Sequence, residues 1–403
     1  MLDVSEIEAA RDRVEDVALR TSLESQRTFS RMTGADVRLK FENDQRTGSF
    51  KIRGATNRIR SLSEAERDAG VITASAGNHA QGVALAAQRS DVDALIVMPE
   101  FAPISKVNAT RSYGAEVVLY GEDYADAQEK AHELADDSDR TYVHAYDDPA
   151  VQAGQGTIGL EIVEDCPEVD TVVAPIGGGG LIGGIATAVK AKSPDTRVIG
   201  VQAEGAATVA NSLDKGATEE LDSVDTIADG IATGAVGETT LPLIDDRVDE
   251  IVTVDDSETA SAMVLLLERV KTLVEGAGAV PIAALLEEKF EFEEDEVIVP
   301  VLSGGNIDLN LLTTVLSRGL VDRGRFVKLR TVMKDRPGAL RDFLDIVTEA
   351  QANVYEINHD RARQSFAIDA TEIELDLETR GHEHVQEIIS ELREEGFQVE
   401  VRT

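Results

Sequence analysis

Cysteine, long apolar runs and basic residues are all scarce in this sequence. Its 403 residues include one cysteine, Cys166, so no disulfide framework can hold the chain together. No stretch approaches the roughly 18 apolar residues that a membrane-spanning helix needs. The first residues, Met1 to Glu6, are acidic and lack the basic start and apolar run of a secretion signal. We therefore expect a cytoplasmic protein that is stabilised by a hydrophobic core.

Basic residues are outnumbered by acidic ones, 39 to 76, which gives a net charge of −37. Such a charge repels nucleic acids and anionic membranes, so neither is expected as a partner. The acidic residues are scattered rather than gathered in one tail, as in Glu288, Glu291, Glu293, Glu294, Asp295 and Glu296. A scattered acidic excess on a chain with a normal core predicts a halophilic protein, because high salt screens the repulsion. An acidic protein of ordinary salt tolerance is the alternative.

Short apolar runs alternate with helical patterns over most of the chain, which predicts an α/β fold with parallel sheets. The predicted strands are Ala69–Ala74, Ala94–Met98, Glu116–Tyr120, Thr171–Ile176, Arg197–Val201 and Val297–Leu302. The helices between them include His79–Gln88, Lys106–Tyr113 and Gly183–Lys192.

The pattern changes near Arg323–Arg325. The predicted elements there are strand Phe326–Met333, helix Gly338–Ala350, strands Ala352–Ile357 and Ala367–Leu377, helix His382–Glu395 and strand Phe397–Val401. This βαββαβ order is that of a separate ferredoxin-like domain.

Four glycines, Gly177, Gly178, Gly179 and Gly180, follow the strand that begins at Thr171 and precede a helix. Successive glycines let backbone N–H groups converge on an anion, and a helix N-terminus adds positive partial charge, so the run predicts a phosphate site. Gly178–Gly183 also matches G-x-G-x-x-G, with Glu204 about twenty residues later, which is the pattern of a dinucleotide site. On this segment alone, a dehydrogenase remains an alternative.

Three further motifs carry polar groups in an apolar setting. In SFKIRGA, Lys51 lies between Phe50 and Ile52, where partial desolvation would lower the pKa of the amine and make it nucleophilic. SAGNHAQG, from Ser75 to Gly82, is another turn between a strand and a helix. In SGGN, Ser303 follows a strand, where side chains point into the usual ligand crevice of an α/β sheet.

Together these four motifs resemble the threonine dehydratase branch of the fold-type II pyridoxal-phosphate (PLP) enzymes, from about residue 15 to residue 320. The resemblance implies two open parallel-sheet α/β subdomains like those of the tryptophan synthase β subunit. The catalytic domain would span residues 1–322, with a smaller subdomain of about residues 45–148 inserted. The dinucleotide interpretation leaves Lys51, Asn78 and Ser303 unexplained.

The resemblance also implies roles for single residues. Lys51 would hold PLP as a Schiff base and act as the catalytic base. Ser303 would face the pyridine nitrogen, Asn78 would bond the phenolic oxygen, and Gly177, Gly178, Gly179, Gly180 and Leu181 would bind the phosphate. Phe50, Gly230 and Glu275 would line the cofactor. The substrate carboxylate would be bound by Ser75, Ala76, Gly77, Asn78 and His79, although a buried structural histidine is the alternative for His79.

Two departures narrow the expected reaction to dehydration and deamination of L-threonine, with L-serine as a secondary substrate. Serine racemases of this family have a serine where this chain has Ala76. The cation site of these racemases has two acidic residues. This chain has one of them, Glu204, but the other is replaced near Ala210, so no metal is expected. The alternatives are a serine dehydratase or racemase, another PLP enzyme such as a threonine synthase, and a non-catalytic amino-acid sensor. A place in isoleucine biosynthesis is expected, with a catabolic role left open.

Residues 326–403 resemble an ACT regulatory domain. Its DRPGAL loop consists of Asp335, Arg336, Pro337, Gly338, Ala339 and Leu340. Pro337 and Gly338 open a helix and expose its N–H groups to a carboxylate. The resemblance implies an amino-acid effector at this loop and at Asn353, and a homodimer or homotetramer. A domain that only dimerises is the alternative.

Overall fold

A computed structural model describes residues 1–360 and 370–402. The chain forms two compact units, Met1–Asp308 and Leu309–Thr403. Among the described residues, no helix has the length and apolar character to cross a membrane.

The strands of the described residues are β1 (Leu23–Ser25), β2 (Asp36–Lys40), β3 (Val71–Ala74), β4 (Ala94–Met98), β5 (Glu116–Leu119), β6 (Thr141–Tyr142), β7 (Thr171–Pro175), β8 (Arg197–Ala203), β9 (Glu250–Val254), β10 (Val297–Pro300), β11 (Phe326–Lys334), β12 (Asn353–Asp360), β13 (Ala370–Glu378) and β14 (Val399–Arg402).

The α-helices are α1 (Val4–Val14), α2 (Arg27–Thr33), α3 (Lys51–Arg60), α4 (Glu64–Ala69), α5 (Asn78–Arg89), α6 (Ile104–Ser112), α7 (Tyr124–Ser138), α8 (Pro149–Asp165), α9 (Gly180–Lys192), α10 (Val209–Lys215), α11 (Leu241–Arg247), α12 (Asp256–Leu265), α13 (Gly276–Leu286), α14 (Leu309–Asp322), α15 (Ala339–Glu349) and α16 (His382–Glu394). A π-helical turn, Leu266–Val270, directly follows α12.

The first unit contains two sheets. One has the order β1-β2-β10-β7-β8-β9, and its strands are parallel except for the antiparallel pair of β1 and β2. The other has the order β5-β4-β3-β6 and is parallel throughout. Every residue of β3, β4 and β7 is buried, as expected for parallel strands covered on both faces. The predicted parallel α/β fold is confirmed.

The six predicted strands of this unit all form, with small differences at their ends. The predicted strand Ala69–Ala74 begins only at Val71, because Ala69 ends α4 and Gly70 has a positive φ of 89°. The strands β1, β2, β6 and β9 were not predicted from the sequence.

The second unit contains an antiparallel sheet of order β12-β13-β11-β14. Burial alternates along β11, where Val327, Leu329, Thr331 and Met333 are buried. Helices α15 and α16 supply Phe343 and Ile388 to the same core. The predicted βαββαβ order is confirmed, and residues 367–369 of the predicted strand Ala367–Leu377 lie outside the described residues.

The parallel strands place the sequence motifs at their carboxyl ends. Strand β7 leads into the glycine run, and its neighbour β10 leads towards Ser303. In the other sheet, β3 leads into the Ser75–His79 loop. Carboxyl ends of parallel strands are where α/β folds bind ligands.

Candidate active site

One cavity of the first unit brings together every residue that the sequence analysis assigned to the cofactor. Its walls contain Phe50, Lys51, Asn78, Gly177, Gly178, Gly179, Gly180, Leu181, Gly230, Glu275 and Ser303. Its other lining residues are Tyr146, Pro175, Ile231, Thr233 and Ala277, none of which was predicted.

Lys51 is the first residue of α3, and its side chain is half-buried. Its Nζ donates a hydrogen bond of 2.9 Å to the carbonyl oxygen of Ala145 and lies 5.3 Å from the centre of the Phe50 ring. Burial lowers the pKa of Lys51 to about 8, against the opposing effect of the Glu275 carboxylate. A larger fraction of this amine than of an ordinary lysine amine is therefore neutral, and nucleophilic, near neutral pH.

The glycine run is a tight loop between β7 and α9. Gly179 adopts a positive φ of 89°, and its carbonyl accepts the first bond of the helix, from the N–H of Gly183 at 2.9 Å. The Gly178 carbonyl accepts bonds from the Thr240 hydroxyl at 2.7 Å and the Gly237 N–H at 3.1 Å. A Cβ added at Gly178 would collide with the Tyr146 ring, and a Cβ added at Gly180 would make a tight contact of 3.0 Å with Tyr146. The loop therefore requires glycine, and it leads directly into a helix N-terminus suited to an anion.

Asn78 and Glu275 form a polar pair in the cavity wall. Asn78 Nδ2 donates to Glu275 Oε1 at 2.6 Å, and Asn78 Oδ1 accepts from Asn306 Nδ2 at 2.8 Å. Burial raises the pKa of Glu275 to about 7, although the bond from Asn78 opposes the shift. The three side chains fix the orientation of the Asn78 amide, and Glu275 can hold a proton near neutral pH.

Ser303 follows β10 and is 2% exposed. Its carbonyl oxygen accepts a hydrogen bond of 3.1 Å from the N–H of Phe50. This bond joins the Ser303 loop to the residue just before Lys51. The serine therefore offers a neutral hydroxyl in the same wall as the lysine.

Of the predicted substrate residues Ser75, Ala76, Gly77, Asn78 and His79, only Asn78 lines this cavity. The others belong to the same loop and the start of α5. His79 Nε2 lies 2.9 Å from the Val143 carbonyl, and burial lowers the pKa of His79 to about 3. The His79 ring is therefore neutral, and a carboxylate here would depend on the N–H groups of the loop and the helix N-terminus.

Tyr146 was missed by the sequence analysis, although it packs against the glycine loop. It lies in an irregular turn between β6 and α8, where neither helical nor strand periodicity marks it. The following Asp148 and Pro149 form an N-cap and first-turn proline, so the sequence could have located the turn but not the direction of the ring.

The second unit separates the predicted effector residues. Asp335, Arg336 and Pro337 are exposed in the loop after β11, Gly338 has a positive φ of 95°, and Ala339 and Leu340 begin α15. Asn353 starts β12 and pairs with Glu378, which in turn pairs with Phe326 at the other end of β11. Within one chain, the length of β11, about 25 Å, therefore separates Asn353 from the loop.

Comparison with known proteins gives two family matches. Residues 14–304 match a family model described as pyridoxal-phosphate dependent enzyme, and residues 324–395 match an ACT domain. The chain is 46% identical over 401 residues to the L-threonine ammonia-lyase of Thermotoga maritima, with 100% of both chains covered. It is 44% identical over 320 residues to the catabolic L-threonine dehydratase of Escherichia coli K12, covering 79% of this chain and 97% of that protein.

Solved structures give the same picture for the first unit. The processed form of threonine deaminase isoform 2 from Solanum lycopersicum is 42% identical, with a TM-score of 0.76, covering 78% of this chain and 92% of that one. Maize serine racemase is 35% identical, with a TM-score of 0.74, covering 79% of this chain and 98% of that one. This chain therefore belongs to the family of pyridoxal-phosphate dependent enzymes and has a C-terminal ACT domain.

Proposed function

We propose that this enzyme is an L-threonine ammonia-lyase, which converts L-threonine into 2-oxobutanoate and ammonia, with L-serine as a secondary substrate. The observation that carries the proposal is the cavity in which the Lys51 amine, the glycine loop, Asn78 and Ser303 meet. The full-length similarity to the Thermotoga maritima enzyme supports the same substrate.

The donor set of this cavity fits PLP. The glycine loop, which lines the cavity, and the start of α9 would hold the phosphate through backbone N–H groups. Lys51 would bond the aldehyde carbon, Asn78 would donate to the phenolic oxygen, and the Ser303 hydroxyl would face the ring nitrogen. When bound, PLP supplies the electron sink for carbon acid chemistry at the substrate Cα.

The residues of this chain supply binding and proton transfer. The N–H groups of the Ser75–His79 loop would bind the substrate carboxylate and orient the Cα–H bond. The free amine of Lys51, whose pKa burial lowers to about 8, would take the Cα proton. The β-hydroxyl leaves as water, and hydrolysis of the released enamine gives 2-oxobutanoate and ammonia.

Racemisation of serine is the second candidate function. The structural likeness to maize serine racemase favours it. Reprotonation of Cα from the opposite face needs an acid there. Family racemases have a serine at the position of Ala76, and an alanine methyl group cannot supply a proton.

The test is a steady-state assay of the purified enzyme with PLP, run with L-threonine, L-serine and O-phosphohomoserine. We expect 2-oxobutanoate from threonine, with a higher kcat/KM than pyruvate from serine. D-serine as the main product of L-serine, or threonine as a product of O-phosphohomoserine, would overturn the proposal.

We also propose that residues 326–403 regulate a catalytic domain of residues 1–322. The Escherichia coli relative supports the separation, because 79% of this chain covers almost its whole length. An amino-acid effector would bind at the Asp335–Leu340 loop and Asn353. Because these lie at opposite ends of the sheet in one chain, a shared site would combine two copies, in keeping with a homodimer or homotetramer.

The cellular setting is a further proposal. The net charge of −37 supports a halophilic cytoplasm. An isoleucine-biosynthetic role would make isoleucine an inhibitor, so a titration with isoleucine and valine in molar KCl tests this assignment.

A further inference from the structure

The turn of residues 144–147 contacts both halves of the proposed catalytic apparatus. The Ala145 carbonyl accepts the Lys51 Nζ bond of 2.9 Å, and Tyr146 packs against Gly178 and Gly180. The turn has no strand or helix of its own to fix it, since β6 ends at Tyr142 and α8 begins at Pro149. Its shape therefore depends on side chains that bind its backbone.

His144 is one of those side chains. Its Nδ1 accepts hydrogen bonds from the backbone N–H of Asp147 at 2.8 Å and of Tyr146 at 3.3 Å. Two donors on Nδ1 require the tautomer with its proton on Nε2. The ring also meets the Tyr146 ring edge-on, with 4.7 Å between ring centres.

The surroundings of His144 disfavour its charged form. Burial lowers its pKa from the ordinary 6.5, Lys51 and His132 lower it further, and only Asp147 and Asp148 oppose them. The rings of Tyr142 and Tyr146 complete the environment. A proton on Nδ1 would face two N–H donors, so the turn as it stands is compatible with neutral His144 alone.

We infer that His144 is a positioning residue, which through Nδ1 holds the Ala145 carbonyl against the amine of Lys51. The carbonyl then accepts one N–H of the neutral amine and directs its lone pair. Protonation of Nδ1 breaks both of these bonds at acid pH and weakens the support of the Ala145 carbonyl, while Gln152 Nε2 still donates to the Tyr146 carbonyl at 3.0 Å and Asp147 Oδ1 still accepts from the Thr239 N–H at 2.8 Å. The inference rests on the proposed role of Lys51.

Two variants separate the effect of the hydrogen-bond acceptor at position 144 from the effect of protonating His144. In His144→Asn, the side-chain oxygen can take the place of Nδ1 as an acceptor, and it does not titrate. His144→Leu fills a similar volume without an acceptor. His132→Asn is the matched control for kcat at pH 8, because His132 stacks on Tyr142 with 4.1 Å between ring centres and does not hydrogen-bond the turn.

Three quantities are measured: kcat and KM for threonine across pH, the dissociation constant for PLP binding to the apoenzyme, and the histidine tautomers by ¹⁵N NMR. Loss of the acceptor should lower kcat in His144→Leu by about tenfold at pH 8, the effect of one or two hydrogen bonds. His144→Asn and the control should stay within about threefold, as expected when the acceptor is kept. Below pH 6.5, kcat/KM of the unmodified enzyme should fall more steeply than that of His144→Asn.

The inference is overturned if His144→Asn loses as much kcat as His144→Leu, or if its pH profile is identical to that of the unmodified enzyme. It is also overturned if ¹⁵N shifts place the His144 proton on Nδ1 at pH 8. The chain has six histidines, so the His144 signal can be resolved. It reports the tautomer of His144 whether or not threonine is the substrate. If His144→Leu does not fold, the pH profile of His144→Asn still decides.

Discussion

Replacing Arg53 by methionine should destabilise the first unit by more than the loss of any surface ion pair would. Arg53 is 1% exposed, and its guanidinium bonds Glu42 twice at 2.8 Å and Glu161 at 2.6 and 2.9 Å. Lys40, 0% exposed, also binds Glu161 at 2.6 Å. Burial opposes the charge on Glu42, but Arg53 and its hydrogen bonds hold the pKa of Glu42 below its ordinary value.

The size of the effect follows from the charge count. Two cations and two carboxylates make the buried cluster neutral, and Arg53→Met leaves one carboxylate charge uncompensated. Breaking a buried pair in this way costs about 3–5 kcal/mol. Because Arg53 is two residues after Lys51 on α3, we also expect the variant to lose activity.

Urea unfolding followed by circular dichroism measures the loss, with Arg60→Met as the control. Arg60 is on the same helix, but its partner Asp16 is 68% exposed, so its loss should cost no more than about 1 kcal/mol. Adding Glu42→Gln to Arg53→Met should restore part of the stability by removing the unpaired charge. If Arg53→Met and Arg60→Met are equally stable, the buried cluster does not stabilise the first unit.

Three further predictions concern Ser303, the net charge and the ACT domain. Ser303→Asp should bind PLP but eliminate water from threonine far more slowly, because a carboxylate there would hold the ring nitrogen protonated; unchanged turnover would remove the role of Ser303. The melting temperature should rise from dilute buffer to molar KCl, as salt screens the net charge of −37, and a flat curve would contradict the halophilic assignment. A chain ending at Leu320 should still deaminate threonine but lose its response to isoleucine or valine, whereas a surviving response would place the effector site outside the ACT domain.

The sequence predicted those parts of the fold that depend on local pattern. Runs such as Thr171–Ile176 identify buried parallel strands, because a strand that is covered on both faces of the sheet needs apolar side chains on both faces. The residues proposed for the cofactor were assigned through the resemblance to the PLP enzymes, since the position of Lys51, the glycine run and Ser303 at junctions between elements does not by itself give them a role. Their meeting in one cavity follows from the order of parallel strands.

Strand β2 was not predicted because its buried lysine binds a distant residue, and its arginine binds a distant residue in addition to Asp36 of the same strand. Its sequence, DVRLK, includes Arg38 and Lys40, which look solvent-exposed in a single sequence. In the structure Lys40 binds Glu161, 121 residues away, and Arg38 binds Glu168, 130 residues away. Tertiary ion pairs of this kind leave no local periodicity.

The distance between Asn353 and the Asp335–Leu340 loop was not predicted, for a different reason. Strand register decides which end of a sheet a residue occupies. The pairing of Asn353 with Glu378, and of Glu378 with Phe326, follows only from the folded sheet.

Borohydride reduction shows whether Lys51 carries PLP beside the glycine loop. Reduction of the holoenzyme followed by peptide mass mapping should place one phosphopyridoxyl group on Lys51, in the peptide that contains SFKIRGA. Lys51→Ala should show no such adduct and no turnover of threonine. A phosphopyridoxyl group on any other lysine of the active unmodified enzyme would show that Lys51 does not carry PLP.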